Sequence, residues 1–207
     1  MSHTTLILSL GPLCPWLVLL LVLQAVAGLC GLKRRGWPRL TIMALVAAGL
    51  LQVPIRGFSV ASWVRGVSAD FSIPFMGLLA IAAWEHEFRR KAFSKADWTA
   101  VWAFGAVAGL VLYPLALGLG SFDPYGWGSS FSPLFVISAA LTAVLLWKQN
   151  RFGLLLLLAI AAYHMRLLES ANYWDYLLDP IYCLASVVAL CWQLLVRARR
   201  IPSPTPS

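Results

Sequence analysis

A chain of 207 residues that is 60% hydrophobic and 12% charged, with mean hydropathy +0.79, holds far more apolar side chain than a soluble core of that size needs. Its net charge of +8 would suit nucleic acid in a soluble chain, but the cations sit in short loops between apolar runs, where they direct membrane topology. Nucleic acid is thereby set aside as a partner, and a bilayer becomes the expected solvent.

A membrane-crossing helix needs about 20 mainly apolar residues at 1.5 Å of rise each. Seven runs approach that length: 12–32, 40–55, 71–84, 99–119, 132–147, 152–168 and 179–196. In the first, Ala25, Val26 and Ala27 imitate a signal-cleavage site. The residues before it lack Lys and Arg, and cleavage would send the next loop to the translocated side, so an uncleaved first span is expected. That next loop carries Lys33, Arg34, Arg35 and Arg39, cations that resist translocation and hold it in the cytoplasm.

The third run has only 14 residues, short enough for a re-entrant segment. Charge parity argues that it crosses. With seven spans, 13 Lys and Arg residues fall on the cytoplasmic side and only Arg56, Arg65 and Arg166 on the other. Without the third span the distribution becomes 5 inside against 11 outside, which breaks the positive-inside rule. The expected architecture is therefore an all-α, polytopic bundle of about seven transmembrane helices in an inner (plasma) membrane. Its N-terminus lies outside and its C-terminus in the cytoplasm. Residues 1–200 form one domain, and the Pro- and Ser-rich stretch 201–207 is a disordered tail.

Ser72, Ser132 and Asp179 each stand just before a Pro, the signature of a capped helix start, and Gly11 precedes Pro12 in the same way. These four starts face outward. Trp16, Trp37, Trp84, Trp98, Trp147 and Tyr182 near the span ends suit an interfacial belt, and Gly105-x-x-x-Gly109 suits close helix packing. The loop 85–91 carries both signs and reads as a solvated, lipid-touching segment.

Chemistry is concentrated outside. The stretch 166–180 carries Arg166, Glu169, Asn172, Asp175, Tyr176 and Asp179 just beyond His164. If helical, it is an amphipathic interfacial segment with an Arg166–Glu169 pair. Asp123 and Tyr125, on the turn-rich loop 120–130, are placed to join it. The candidate outer-face site is thus Asp123, Tyr125, His164, Arg166, Glu169, Asp175 and Asp179. Arginines beside outward helix starts suit a phosphate or carboxylate, and the carboxylates suit a cation or acid–base work.

Several functions are argued against. A lone span histidine cannot hold a bis-histidine haem, the His and carboxylate spacing matches no metal motif, and the seventh run lacks a retinal-binding Lys. No span carries a midplane charge of the kind ion-coupled transporters use. The four cysteines lack C-x-x-C spacing. The expectation is a non-catalytic accessory or interaction component with no cofactor and no metal, in contact with membrane lipids and a possible partner membrane protein. The alternatives are an enzyme or binder for a lipid or lipid-linked substrate at the outer leaflet, and a facilitator for a small neutral solute.

Overall fold

Serine and aspartate caps start the helices that the apolar runs continue. The computed structural model describes residues 12–32, 35–66 and 71–199. The expected tail 201–207 lies outside the described residues, as do residues 1–11, Lys33, Arg34, residues 67–70 and Arg200. Within them run α1 (Leu13–Leu29), α2 (Trp37–Leu51), a hairpin of β1 (Pro54–Ile55) and β2 (Phe58–Ser59), α3 (Val60–Arg65) and α4 (Ile73–Phe88). Then follow α5 (Lys95–Ala116), a 3₁₀ turn (Pro124–Gly128), α6 (Pro133–Trp147), α7 (Phe152–His164), α8 (Tyr173–Leu177) and α9 (Pro180–Ala198). The side chains of Ser72, Ser132 and Asp179 accept from Phe75, Leu134 and Tyr182 N–H respectively, as their place before Pro implied.

Helix ends moved where the backbone found other partners. The run 40–55 stops as helix at Leu51, because Pro54 opens the hairpin and Arg56 and Gly57 turn it with φ of 51° and 86°. The run 152–168 stops at His164. Arg166 takes the left-handed conformation (φ 50°), donating its N–H to Tyr163 while Leu167 donates to Ala162, a Schellman ending on a residue other than Gly.

Apart from that hairpin, the regular secondary structure of the described residues is all helical. Two of its helices are long and apolar enough to cross a membrane: α5 over 22 residues and α9 over the 18 residues Pro180–Arg197. At 1.5 Å per residue α5 reaches about 33 Å, one hydrocarbon core. α1, α2, α6 and α7 are apolar but have only 13 to 17 residues, and α4 has 16.

α5 packs against α9, α1 against α2 and α4, and α7 against α4 and α6. The α5–α9 contact depends on absent side chains. A Cβ at Gly105 would overlap Ser186, and one at Gly109 would overlap Cys183, so the small-residue spacing does bring two backbones together. Tyr182 sits in this seam, fully buried, its hydroxyl donating to the Val101 carbonyl at 2.8 Å, rather than in an interfacial belt. Trp16 likewise spends its N–H inside the chain, on the Ala44 carbonyl at 2.9 Å.

Hydrogen bonds sort the connections into two ends. At one, Gly36 N–H donates to Glu87 (2.8 Å), Ala92 and Phe93 N–H donate to Glu85, and Arg151 N–H donates to Asp97 (2.8 Å). At the other, Arg65 meets Glu169, Ser72 meets Asp179, and Tyr125 meets Asp175. The loop 85–91 is therefore not simply solvated. Glu87 is buried beside Arg39, and Glu85 caps the backbone that follows α4.

Candidate functional site

The stretch 166–180 folds into the Asp179 end as a plug, not as a continuous amphipathic helix. Its polar side chains compete for the backbone. Ser170 accepts from Asn172 N–H at 3.0 Å, Asn172 accepts from Trp174 N–H at 2.9 Å, and the Tyr176 hydroxyl accepts from Leu168 N–H at 3.2 Å. One short helix, α8, survives between them. Leu168, Asn172, Tyr173, Tyr176, Leu177, Leu178 and Asp179 are all buried, so the apolar and polar faces of a surface helix never form.

The loop 120–130 closes over this plug. Asp123 accepts from Tyr125 N–H at 2.9 Å and starts the 3₁₀ turn, whose carbonyls then receive Asn172 Nδ2 at Tyr125 (2.9 Å) and Trp174 Nε1 at Pro124 (2.8 Å). Gly128 lies against Asn172 so closely that a Cβ there would overlap the amide. The Tyr125 hydroxyl donates to Asp175 Oδ2 at 3.0 Å, and the Ser170 hydroxyl donates to the same oxygen. Burial, helped by the Asp175 charge and hydrogen bond and by Asp123, pushes the Tyr125 phenol up to about 12.

Of the seven candidate residues, the structure brings Asp123, Tyr125 and Asp175 into one network. Asp179 lies apart from it in the bundle, accepting from Ser72 N–H (3.0 Å), Ser72 Oγ (2.6 Å) and Tyr182 N–H (2.8 Å). Glu169 does not pair with Arg166 at i−3. It reaches Arg65 of α3 at 2.8 Å, because the left-handed turn at Arg166 breaks the helical spacing. His164 turns Nδ1 to the Ile160 carbonyl (2.9 Å) and lines a cleft of about 760 Å³ between α6 and α7.

Among the described residues four clefts of about 420 to 760 Å³ open on the flanks of the bundle; three are walled almost wholly by apolar side chains, and the one between α6 and α7 also by Ser138, Tyr163, His164 and Tyr173. Asp123, Arg166, Glu169, Asp175 and Asp179 line none of these four. Among the described residues no three His, Cys, Asp or Glu side chains gather to hold a metal ion, and Cys14, Cys30, Cys183 and Cys191 are free thiols.

Several pairings at polar junctions escaped the sequence reading. Ser138 and Tyr173 share a buried hydroxyl contact at 3.0 Å, for which no local pattern exists. Asp97 closes a capping box with Ser94 and also receives Arg151 N–H. The Ser94-x-x-Asp97 spacing was a legible sign of the box, though not of its distant partner. Searches against protein-family models, curated proteins and solved structures returned no match.

Proposed function

We propose that this chain is a non-catalytic, multi-pass component of the inner membrane, a bundle of seven spans with its N-terminus outside and its C-terminus in the cytoplasm. The observation that carries the reading is that all four carboxylates of the candidate site are engaged by donors of the same chain. Asp123 holds a turn, Asp175 joins two loops, Asp179 joins two helices, and Glu169 pairs with Arg65. A carboxylate poised as acid, base or ligand would instead keep an oxygen turned to a substrate-sized space.

The membrane part of the reading is supported by what the helices leave outside. Only 28% of the apolar window of α5 and 17% of that of α9 are buried, whereas a soluble core helix is mostly buried. Leu45, Val107, Leu110, Ile137, Val188 and Leu194 stay exposed in mid-helix, more apolar surface than a soluble monomer tolerates. The two separate sets of loop contacts agree with an up-and-down path, and short helices fit a bilayer by thinning it locally. A lipid-modifying enzyme would call for a polar outer cavity, and a solute facilitator for a continuous polar passage. The apolar lateral clefts favour neither.

Reporter tags that are active only in the cytoplasm or only outside it test the topology. Fused after Ser207 and within loop 120–130, they should report opposite sides, and the same side for both overturns the seven-span path. Complementation tests the functional class. Glu169→Gln and Asp175→Asn should change a phenotype only as far as they lower the amount of folded protein. Loss of phenotype at wild-type abundance would point instead to the outer-leaflet enzyme or binder.

A further inference from the structure

We propose that the β1–β2 hairpin and α3 lie in the outer leaflet of the bilayer at the depth of the lipid glycerol, with Ile55, Phe58 and Trp63 among the acyl chains and Arg56 at the phosphates. The proposal rests on the membrane reading above and goes beyond it, since the seven-span path requires only that this connection be outside. Three exposed side chains gather into one knob. Ile55 and Phe58 are partners across the hairpin, Trp63 meets the Phe58 ring edge-on at 6.0 Å, and its indole N–H donates to the Ile55 carbonyl at 3.0 Å. The backbone beneath asks little of water: Val60 N–H donates to the Val53 carbonyl at 3.2 Å, and Pro54 has no N–H. The same element borders an apolar cleft of about 430 Å³, in which Ile55, Trp63 and Val64 meet Cys14, Phe71 and Ile181. Water around the hairpin would therefore wet apolar surface, whereas acyl chains cover the knob and fill the cleft.

Two observations favour lipid over a protein as the cover. α2 exposes Ile42, Leu45, Val46 and Leu50 at helical spacing, and this lipid-facing stripe continues into the exposed Val53 and the knob. α2 is also short. Its 15 residues reach about 22 Å of a hydrocarbon core of about 30 Å, so the hairpin that follows starts at or below the glycerol level and not above the headgroups. Charge bounds the depth. Arg56, exposed at the turn, forms no ion pair among the described residues, and its aliphatic stem lets the guanidinium reach a lipid phosphate while the knob stays apolar. α3 in turn ends at the exposed Arg65–Glu169 pair, which keeps that end of the element in contact with water.

Spin labels on the full chain, in vesicles of phosphatidylcholine and phosphatidylglycerol, test this. A chain whose exposed Cys30 and Cys191 are replaced by alanine takes one new cysteine: Phe58→Cys in the knob, Leu110→Cys on the exposed face of α5, or Lys148→Cys at the exposed turn between α6 and α7. The same chain without a new cysteine gives the background from Cys14 and Cys183. Each label is read by its collisions with oxygen, which concentrates in lipid, and with a water-soluble nickel chelate. The oxygen-to-nickel ratio at 58 should stand severalfold above that at 148 and below that at 110. If Phe58→Cys has no melting transition, Val53→Cys decides by the same ratios. A ratio at the knob equal to that at 148 overturns the proposal. So does a label there that neither reagent reaches, which would put a second copy of the chain on the knob. The reference sites separate the two levels: ratios at 58 and 110 that both equal the value at 148 overturn the membrane reading too. A high ratio at 110 beside a low one at 58 overturns this inference alone.

Discussion

Ser72 and Asp179, 107 residues apart, each cap a different helix and bond each other: Ser72 donates its N–H at 3.0 Å and its hydroxyl at 2.6 Å to Asp179 Oδ2. The second carboxylate oxygen takes Tyr182 N–H at the start of α9. One buried side chain thus fixes how the starts of α4 and α9 meet. Asp179→Ala should lose a cap, about 0.5–2 kcal/mol, and strand the Ser72 donors, about 1–3 kcal/mol more. Melting temperatures of the single and double Ala variants at 72 and 179 should be non-additive, with a coupling of about 0.5–3 kcal/mol. Additive losses would show that the two caps act independently.

Gly105 supports the seam between α5 and α9 by having no side chain. Gly105→Ala would drive its Cβ into Ser186 and against Tyr182, an overpacking that costs about 1–3 kcal/mol. Ser186→Ala in the same chain should recover part of the loss, since the Ser186 hydroxyl is the nearest obstacle. Thermal unfolding in detergent reads both changes, and a second substitution that deepens the loss would refute the packing account.

Glu169 and Asp175 should respond to neutralisation to different degrees. The Arg65–Glu169 pair is exposed on both sides, so Glu169→Gln should move stability by no more than about 1 kcal/mol. Asp175 receives two hydroxyls that join loop 120–130 to the plug, so Asp175→Asn, which turns an acceptor into a donor, should lower the melting temperature clearly more. Limited proteolysis should then cut within 120–130 in the Asp175 variant and not in the Glu169 variant.

The phenol of Tyr125 gives a pH signature. With its folded pKa raised to about 12 from an ordinary value of about 10, the folded chain binds this proton more tightly than the unfolded chain. Its contribution is fully present below pH 10 and is lost as pH rises through about 12. The ultraviolet titration of wild type minus Tyr125→Phe should show one phenol ionising near 12, and alkaline unfolding of Tyr125→Phe should be less steep in that window. A difference titration centred near 10 would contradict the network with Asp175.

Composition and local pattern were enough for an all-helical chain, for the approximate place of its longer helices, and for the caps at Ser72, Ser132 and Asp179. Each of these depends on neighbours within about four residues: apolar run length, a Pro in the first turn, a side-chain oxygen within reach of the next N–H. The partners of those caps are another matter. That Asp179 also takes Ser72, that Glu169 turns to Arg65 and not Arg166, and that Tyr125 and Asp175 converge are pairings across 50 to 107 residues. They arise only when helix packing brings helix ends and loops together. The stretch 166–180 shows the reason most directly. Its spacing allows an amphipathic helix, but burial under loop 120–130 and the left-handed Arg166 gave its backbone groups nearer partners than a helix would have, and packing overrode periodicity.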